Sequence, residues 1–273
     1  MTSKIVLVTG ATDGIGRHTA LELCRRGAAV IVHGRNPAKS RAAVEALAAE
    51  APGATLYEAH GDLSRLDEVR ALAAGLVERF PRIDAMVHNA GVFPETRSLT
   101  ADGFELGFAV NHLAPFTLTH LALAPLRAAR GRLVVVSSVA HQRGRLDLGD
   151  LTYAHDFTGY GGYARAKLCN VLFAAAMARR LARDGVTANS LHPGVVSTKL
   201  LASGFKMEGH DSHAEGAATS VFLALDPAAA EHTGKYFVKC RPATPSAMAR
   251  DEALAEGLYA ASAALTGVAP IPL

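Results

Sequence analysis

The sequence predicts a single α/β domain, a doubly wound, mostly parallel seven-stranded sheet with helices on both faces, and three observations predict it. Short β-branched runs alternate with stretches of helical periodicity along the chain, as parallel βα units require. The first run ends in a glycine-rich turn that opens a helix. No long linker, internal repeat or low-complexity tract divides the 273 residues, so 1–273 read as one unit.

Taken in order, Lys4-Ile5-Val6-Leu7-Val8 is the first strand, and it stops at Thr9-Gly10-Ala11-Thr12-Asp13-Gly14-Ile15-Gly16. Apolar residues then recur at helical spacing over 17–26. Glycines in such a turn bend the backbone tightly and let a pyrophosphate reach the amides at the helix start, where the helix dipole favours anions. The spacing Gly10-x-x-x-Gly14-x-Gly16 departs from the commoner G-x-G-x-x-G. Further strands are expected at 29–33, 55–59, 85–88, 132–137, 187–192 and 236–239. Helices are expected at 37–49, 65–80, 100–129 with an interruption at Pro115, 162–184, 214–225 and 250–265. Right-handed crossovers bring the glycine turn and the ends of the fourth, fifth and sixth strands to one edge of the sheet. About residues 1–150 then serve a cofactor, and about 138–273 serve catalysis and the substrate.

A hydrophobic content of 49% with 19% charged residues supports a sizeable core and argues against disorder. The net charge of +3 is mild, and no basic and aromatic cluster offers a nucleic-acid surface. Cys24, Cys169 and Cys240 lie far apart without C-x-x-C spacing, which fits reduced thiols in a cytoplasmic setting and gives no metal site. Met1-Thr2-Ser3-Lys4 runs directly into the first strand with no cleavable signal, and no apolar run of about 18 residues is present, so neither secretion nor a membrane span is expected.

The candidate chemistry starts at Tyr163 and Lys167, four apart and therefore on one helical face. A cation about 4 Å from a phenol, at an effective dielectric near 20, is worth about 4 kcal/mol, enough to lower a tyrosine by two to three units from about 10. Such a phenol exchanges a proton near neutral pH. Tyr153 and Tyr160 have Phe157 and Ala164 at the fourth position, so of these phenols only Tyr163 gains a lysine. Ser137-Ser138 ends the fifth strand, where alternation turns the two hydroxyls to opposite faces. At the end of the second strand, His33-Gly34-Arg35-Asn36 contains no acid for a ribose 2′-hydroxyl. Arg35, with Arg17 as a second cation and Asn36 beside it, suits a 2′-phosphate, so NADP(H) is expected over NAD(H). Asp62-Leu63 offers either a contact to the adenine amino group or a cap for the helix starting near Arg65. Asn89-Ala90-Gly91 ends the fourth strand with small residues that let the backbone pass close to a ligand.

Together the glycine turn, Asp62, Asn89-Ala90-Gly91, Asn111, Ser138, Tyr163 with Lys167, and Pro193-Gly194 followed by Thr198 resemble the short-chain dehydrogenase/reductase family over nearly the whole chain. Val110-Asn111-His112-Leu113, the run from Val135 to His141 and the run from Lys167 to Phe173 look like its branch of retinol dehydrogenases and carbonyl reductases. The resemblance implies a Rossmann fold and hydride transfer between a nicotinamide and a lipophilic ketone, aldehyde or secondary alcohol. It implies that Tyr163 is the general acid/base, that Ser138 rather than Ser137 holds the carbonyl oxygen, and that Lys167 also binds the nicotinamide ribose. Asn111 then either holds a water near Lys167 or supports a kink in its helix. Pro193, Gly194 and Val196 are expected around the nicotinamide, with Thr198 on its carboxamide. A homodimer or homotetramer through the helices beginning near Thr100 and Gly162 is implied, although related branches include monomers. Three features depart from the family pattern: His88 stands where asparagine is frequent, Ala166 stands where serine is frequent, and the stretch from Ser138 to Tyr163 is longer than usual. Residues 200–213 read as a mobile substrate lid with Gly204 and Gly209 as flexible points. A non-catalytic NADP(H) sensor on the same fold is the rival reading, opposed by the joint presence of Ser138, Tyr163 and Lys167. Nucleotide-sugar epimerisation is another, opposed by the glycine spacing and the short carboxyl-terminal segment.

Overall fold

Alternation of side chains along each strand decides how the sheet is buried. In the structure, a computed structural model that describes residues 3–273, Val6, Val8, Val30 and Val32 pack on one face while Leu7 and Ile31 pack on the other. Met1 and Thr2, part of the start read above, lie outside the described residues. The strands are β1 (Ile5–Val8), β2 (Ala29–Gly34), β3 (Leu56–His60), β4 (Ala85–His88), β5 (Arg132–Val136), β6 (Thr187–His192), β7 (Tyr236–Val238) and β8 (Arg241–Ala243). They form one sheet in the order β3-β2-β1-β4-β5-β6-β7-β8, parallel through β7. The order reverses between β1 and β4, which opens the crevice where doubly wound sheets bind ligands.

The helices are α1 (Gly14–Arg25), α2 (Pro37–Glu50), α3 (Leu66–Arg79), α4 (Leu106–Phe108), α5 (Ala114–Leu121), α6 (Leu123–Ala128), α7 (Gly159–Leu181), α8 (His213–Leu225) and α9 (Glu252–Thr266). Leu21 and Leu23 of α1, Leu47 of α2 and Val221 of α8 cover one face. Leu72 and Leu76 of α3, Phe116 of α5 and Met177 of α7 cover the other. The result is one Rossmann-like domain.

Two expectations change. Among the described residues the sheet has eight strands, not seven. β8 returns antiparallel to β7 through Lys239 and Cys240, both left-handed at φ 49° and 59°, as a two-residue hairpin requires. Three residues with Pro242 among them carry no strand signal, and a proline fits only because this strand forms the edge. The expected helix from residue 100 begins instead at Leu106, because residues 100–104 close a turn between Thr100 and Phe104. Buried Glu105 starts the helix by accepting from the amides of Gly107 and Phe108, both at 2.7 Å. Pro115 does not break the helix, which continues from α4 through a π-helical turn into α5; the proline, which has no amide to donate, follows directly on that turn. The irregularities are a π-helical turn, Ala109–Leu113, and a break at Ala122.

The core also holds neutral histidines. Burial pushes His88 and His112 down to about 3 and His33 and His120 down to about 4. His88 meets the Thr119 hydroxyl at 2.7 Å, His112 the Ser262 hydroxyl at 2.8 Å and His120 the Tyr259 hydroxyl at 2.8 Å. A histidine depressed on folding binds its proton more readily in the unfolded chain, so its stabilising contribution is full above about pH 6.5 and is lost as pH falls. Urea midpoints should therefore drop on acidification from about pH 7 to about pH 5. His88→Asn should flatten that drop by roughly one histidine, about 1.4 kcal/mol per pH unit; an unchanged slope would contradict the assignment.

Candidate active site

The glycine turn is shaped by contact as much as by dihedral angle. Gly10 and Gly14 take φ of +65° and +54°, which side chains rarely adopt. A Cβ on Gly16 would lie 2.2 Å from the Gly10 carbonyl oxygen and 2.3 Å from the Asn89 amide nitrogen. Asn89 donates to the carbonyls of Thr9 and Gly10, and the Thr9 hydroxyl accepts from the amides of Asn89 and Ala90. These bonds lock the end of β4 against the end of β1. Beneath the turn, buried His33 accepts from the Gly10 amide at 3.4 Å and donates to the Gly61 carbonyl at 3.1 Å.

A cavity of about 1100 Å³ runs from this turn along the carboxyl edge. Gly10, Thr12, Asp13, Gly14, Ile15 and Gly16 line it, and Arg35, Asp62, Leu63, Asn89, Ala90 and Gly91 continue the same wall. Arg35 is exposed there, 3.9 Å from the Asp62 carboxylate. Arg17 and Asn36 are not lining residues. Arg17 turns away to an ion pair with Glu50 of α2, and Asn36 caps α2 by accepting from the Lys39 amide at 3.1 Å. The cap read at Asp62 is also displaced. Asp62 accepts from the amide and hydroxyl of Ser64, while the first amide of α3, Leu66, donates to Asp102.

At the other end, Ser137 and Ser138 face opposite ways. The Ser137 hydroxyl donates to the Lys167 carbonyl at 2.7 Å, whereas Ser138 lines the cavity beside the Tyr163 phenol. The Lys167 ammonium donates to the Val136 carbonyl at 3.0 Å and lies 5.6 Å from the Tyr163 ring centre. The sequence expectation of a phenol lowered by this lysine is not met. Burial pushes Tyr163 up to about 12, with the neighbouring Ser138 hydroxyl opposing, and pushes Lys167 down to about 8. In each case the first cause is desolvation, which disfavours the charged form of phenol and ammonium alike.

Asn111 lies in the π-helical turn with its side chain engaged by Val92, accepting from the amide at 2.8 Å and donating to the carbonyl at 3.0 Å. A Cβ on Gly91 would come 3.2 Å from the Asn111 oxygen and 3.4 Å from the Lys167 ammonium, so the three residues meet at one point. Gly194, at φ +101°, abuts the Asp211 carboxylate, which accepts from the Val195 amide at 2.7 Å. Pro193, Gly194, Val196 and Thr198 line the cavity, and Thr198 also accepts from the Leu201 amide at 3.2 Å.

In the segment 200–213, a Cβ on Gly209 would fall 2.3 Å from the Ser197 amide nitrogen, and one on Gly204 would strike the Phe93 ring, so glycine is needed at both positions for close approach. Phe205 packs on Tyr163 and Phe93, with ring centres 5.3 and 4.8 Å away. Tyr160 lines the cavity mouth, while Tyr153 stacks under the Arg165 guanidinium at 4.5 Å. Arg165 and Arg97 also bind the carbonyls of residues 150–153, which orders the long stretch before α7. His33, Phe93 and Asp211 were not legible as site residues, since each acts through a tertiary contact.

The short chain dehydrogenase family model matches residues 4–209. The chain belongs to the short-chain dehydrogenase/reductase family. Within it the chain is retinol dehydrogenase-like. It is 38% identical to Retinol dehydrogenase 13 of Homo sapiens, over 97% of this chain and 85% of the relative. It is 38% identical to Retinol dehydrogenase 14 of Mus musculus, over 98% and 87%. A solved short chain dehydrogenase from Salmonella enterica superposes with a TM-score of 0.72 at 28% identity, over 88% of this chain and 97% of that one. As an oxidoreductase family it uses a nicotinamide cofactor, NAD or NADP. The residues here fit such a group: Gly10, Thr12, Gly14 and Gly16 put little side-chain bulk into the cavity at the start of α1, and Gly10 and Gly14 hold left-handed backbone that side chains rarely adopt. Among the described residues no helix is long and apolar enough to cross a membrane.

Gly16→Ala should weaken binding of the nicotinamide cofactor at least tenfold, about 1.4 kcal/mol, because the methyl group displaces Gly10 or Asn89. Fluorescence titration checks this, and wild-type affinity would show the turn to be looser than its contacts imply.

Proposed function

We propose that the chain is an NADP(H)-dependent oxidoreductase that moves a hydride between the nicotinamide and a lipophilic ketone, aldehyde or secondary alcohol. The observation that carries this reading is the meeting of Ser138, Tyr163 and Lys167 in the wall of one cavity whose far end is the glycine turn. A bound nicotinamide supplies or accepts the hydride at the carbonyl carbon. Ser138 holds the carbonyl oxygen and stabilises charge as it develops. Tyr163, held well above neutral pH by burial, carries its proton at pH 7 and gives it to the forming alkoxide. Lys167 stands beside it to bind ribose hydroxyls and to favour the phenolate in the oxidative direction.

Arg35 at the end of β2, with no acid in the same turn, supports a 2′-phosphate and hence NADP(H). Phe93, Leu200 and Phe205 pack around Tyr163 and favour an apolar substrate. The names of the relatives point to the same substrate chemistry. Residues of about 1–150 supply the cofactor end and those of about 138–273 the reacting end, meeting at Ser138.

The test is NADPH and NADH oxidation, followed by ultraviolet absorbance, across aliphatic, aromatic, terpenoid and steroid ketones and aldehydes. Turnover with NADPH preferred is expected. Tyr163→Phe should lower kcat by roughly a thousandfold while NADPH still binds. Arg35→Ala should weaken NADPH about tenfold and leave NADH unchanged. Near-normal turnover by Tyr163→Phe would remove the proton donor, and tight NADPH binding without turnover of any carbonyl would favour a sensor.

A further inference from the structure

His141 sits three residues after Ser138, in the 3₁₀ turn Val139–Arg143, and is fully buried. Nothing in the chemistry above uses it. Its surroundings are nevertheless specified atom by atom. The backbone amide of His141 donates to the Ser138 carbonyl at 3.1 Å, and its ring Nδ1 meets the same carbonyl at 2.7 Å. A carbonyl only accepts, so Nδ1 carries the ring proton. On the other side of the ring, Nε2 accepts from the Ser246 amide at 3.2 Å. Both ring nitrogens are thereby assigned, and the imidazole is neutral in the Nδ1–H form. Tyr236 of β7 closes over it edge to face, with ring centres 4.7 Å apart.

The Ser138 side chain has a different task. Its hydroxyl accepts from the Ala140 amide at 3.2 Å and stands in the cavity near Tyr163. With the hydroxyl committed to the cavity, the Ser138 backbone needs another anchor, and His141 supplies two donors to one carbonyl. The same ring reaches Ser246, which lies between β8 and α9.

We infer that His141 is a positioning residue: its imidazole clamps the Ser138 carbonyl to the backbone of Ser246, so that the carboxyl-terminal segment sets where the Ser138 hydroxyl stands relative to Tyr163. The inference rests on the oxidoreductase reading for its effect on rate, and on geometry alone for the clamp. A misplaced hydroxyl weakens charge stabilisation as the reaction proceeds more than it weakens ligand binding, so the loss appears in kcat.

Two measurements test it. In protein carrying ¹⁵N-labelled histidine, the His141 signal, identified by its disappearance in His141→Asn, should show a protonated Nδ1 and an unprotonated Nε2. The opposite tautomer would overturn the clamp. In kinetics, His141→Leu should lower kcat roughly tenfold or more, with KM and NADPH affinity little changed. His141→Asn, whose side-chain amide can still donate to the Ser138 carbonyl, should recover most of that loss. In a Ser138→Ala background His141→Leu should add little, because the group it positions is already gone. Losses that multiply, or that fall equally on Asn and Leu variants in step with thermal stability, would make His141 an ordinary core residue. If wild type turns over no carbonyl, the oxidoreductase reading fails by itself, and the tautomer alone decides whether the clamp exists.

Discussion

Three polar links between α7 and the end of β5 set the rest of the site. The Lys167 ammonium and the Asn170 amide both donate to the Val136 carbonyl, at 3.0 and 3.1 Å, and the Ser137 hydroxyl donates to the Lys167 carbonyl. A buried ammonium without a partner would be costly, so the lysine fixes the rotation of its helix on the strand. Tyr163, one turn earlier, is thereby brought to Ser138, one residue past Ser137. The two serines divide the work that alternation along a strand makes possible, one hydroxyl holding the scaffold and the next facing the cavity.

The cofactor end follows the same logic with smaller groups. Where β1 and β4 diverge, Thr9, Gly10, Gly16 and Asn89 approach so closely that backbone and amide contacts replace side chains. Neutral His33 supports that turn from below, and Asp211 supports Gly194 from the side. Each of these groups holds backbone in place, leaving amides and hydroxyls turned to the cavity. Desolvation is shared along it: the phenol rises and the ammonium falls because both are buried.

Much of this was legible in the sequence because it is local. β-branched runs gave the strands of the parallel sheet, and a lysine four residues after a tyrosine gave their common face. The glycine turn was readable because only glycine tolerates its backbone. What was not legible depends on partners distant in sequence. Arg17 resembles a phosphate ligand until Glu50, in the next helix, takes its guanidinium. Gly204 and Gly209 look like hinges until Phe93 and Ser197 press against them. β8 is too short and contains a proline, so only its pairing with β7 reveals it. Spacing puts Lys167 beside Tyr163, whereas the burial that raises the phenol and lowers the ammonium comes from tertiary packing around them.

The most direct measurement of the central claim is the fate of the hydrogen itself. NADPH deuterated at C4 of the nicotinamide should place one deuterium on the carbinol carbon of the product alcohol, read by mass spectrometry. Unlabelled NADPH in heavy water should place none on that carbon, since Tyr163 delivers only to oxygen. A carbinol hydrogen drawn from solvent, or a product without the cofactor's deuterium, would contradict hydride transfer and the roles given to Ser138 and Tyr163.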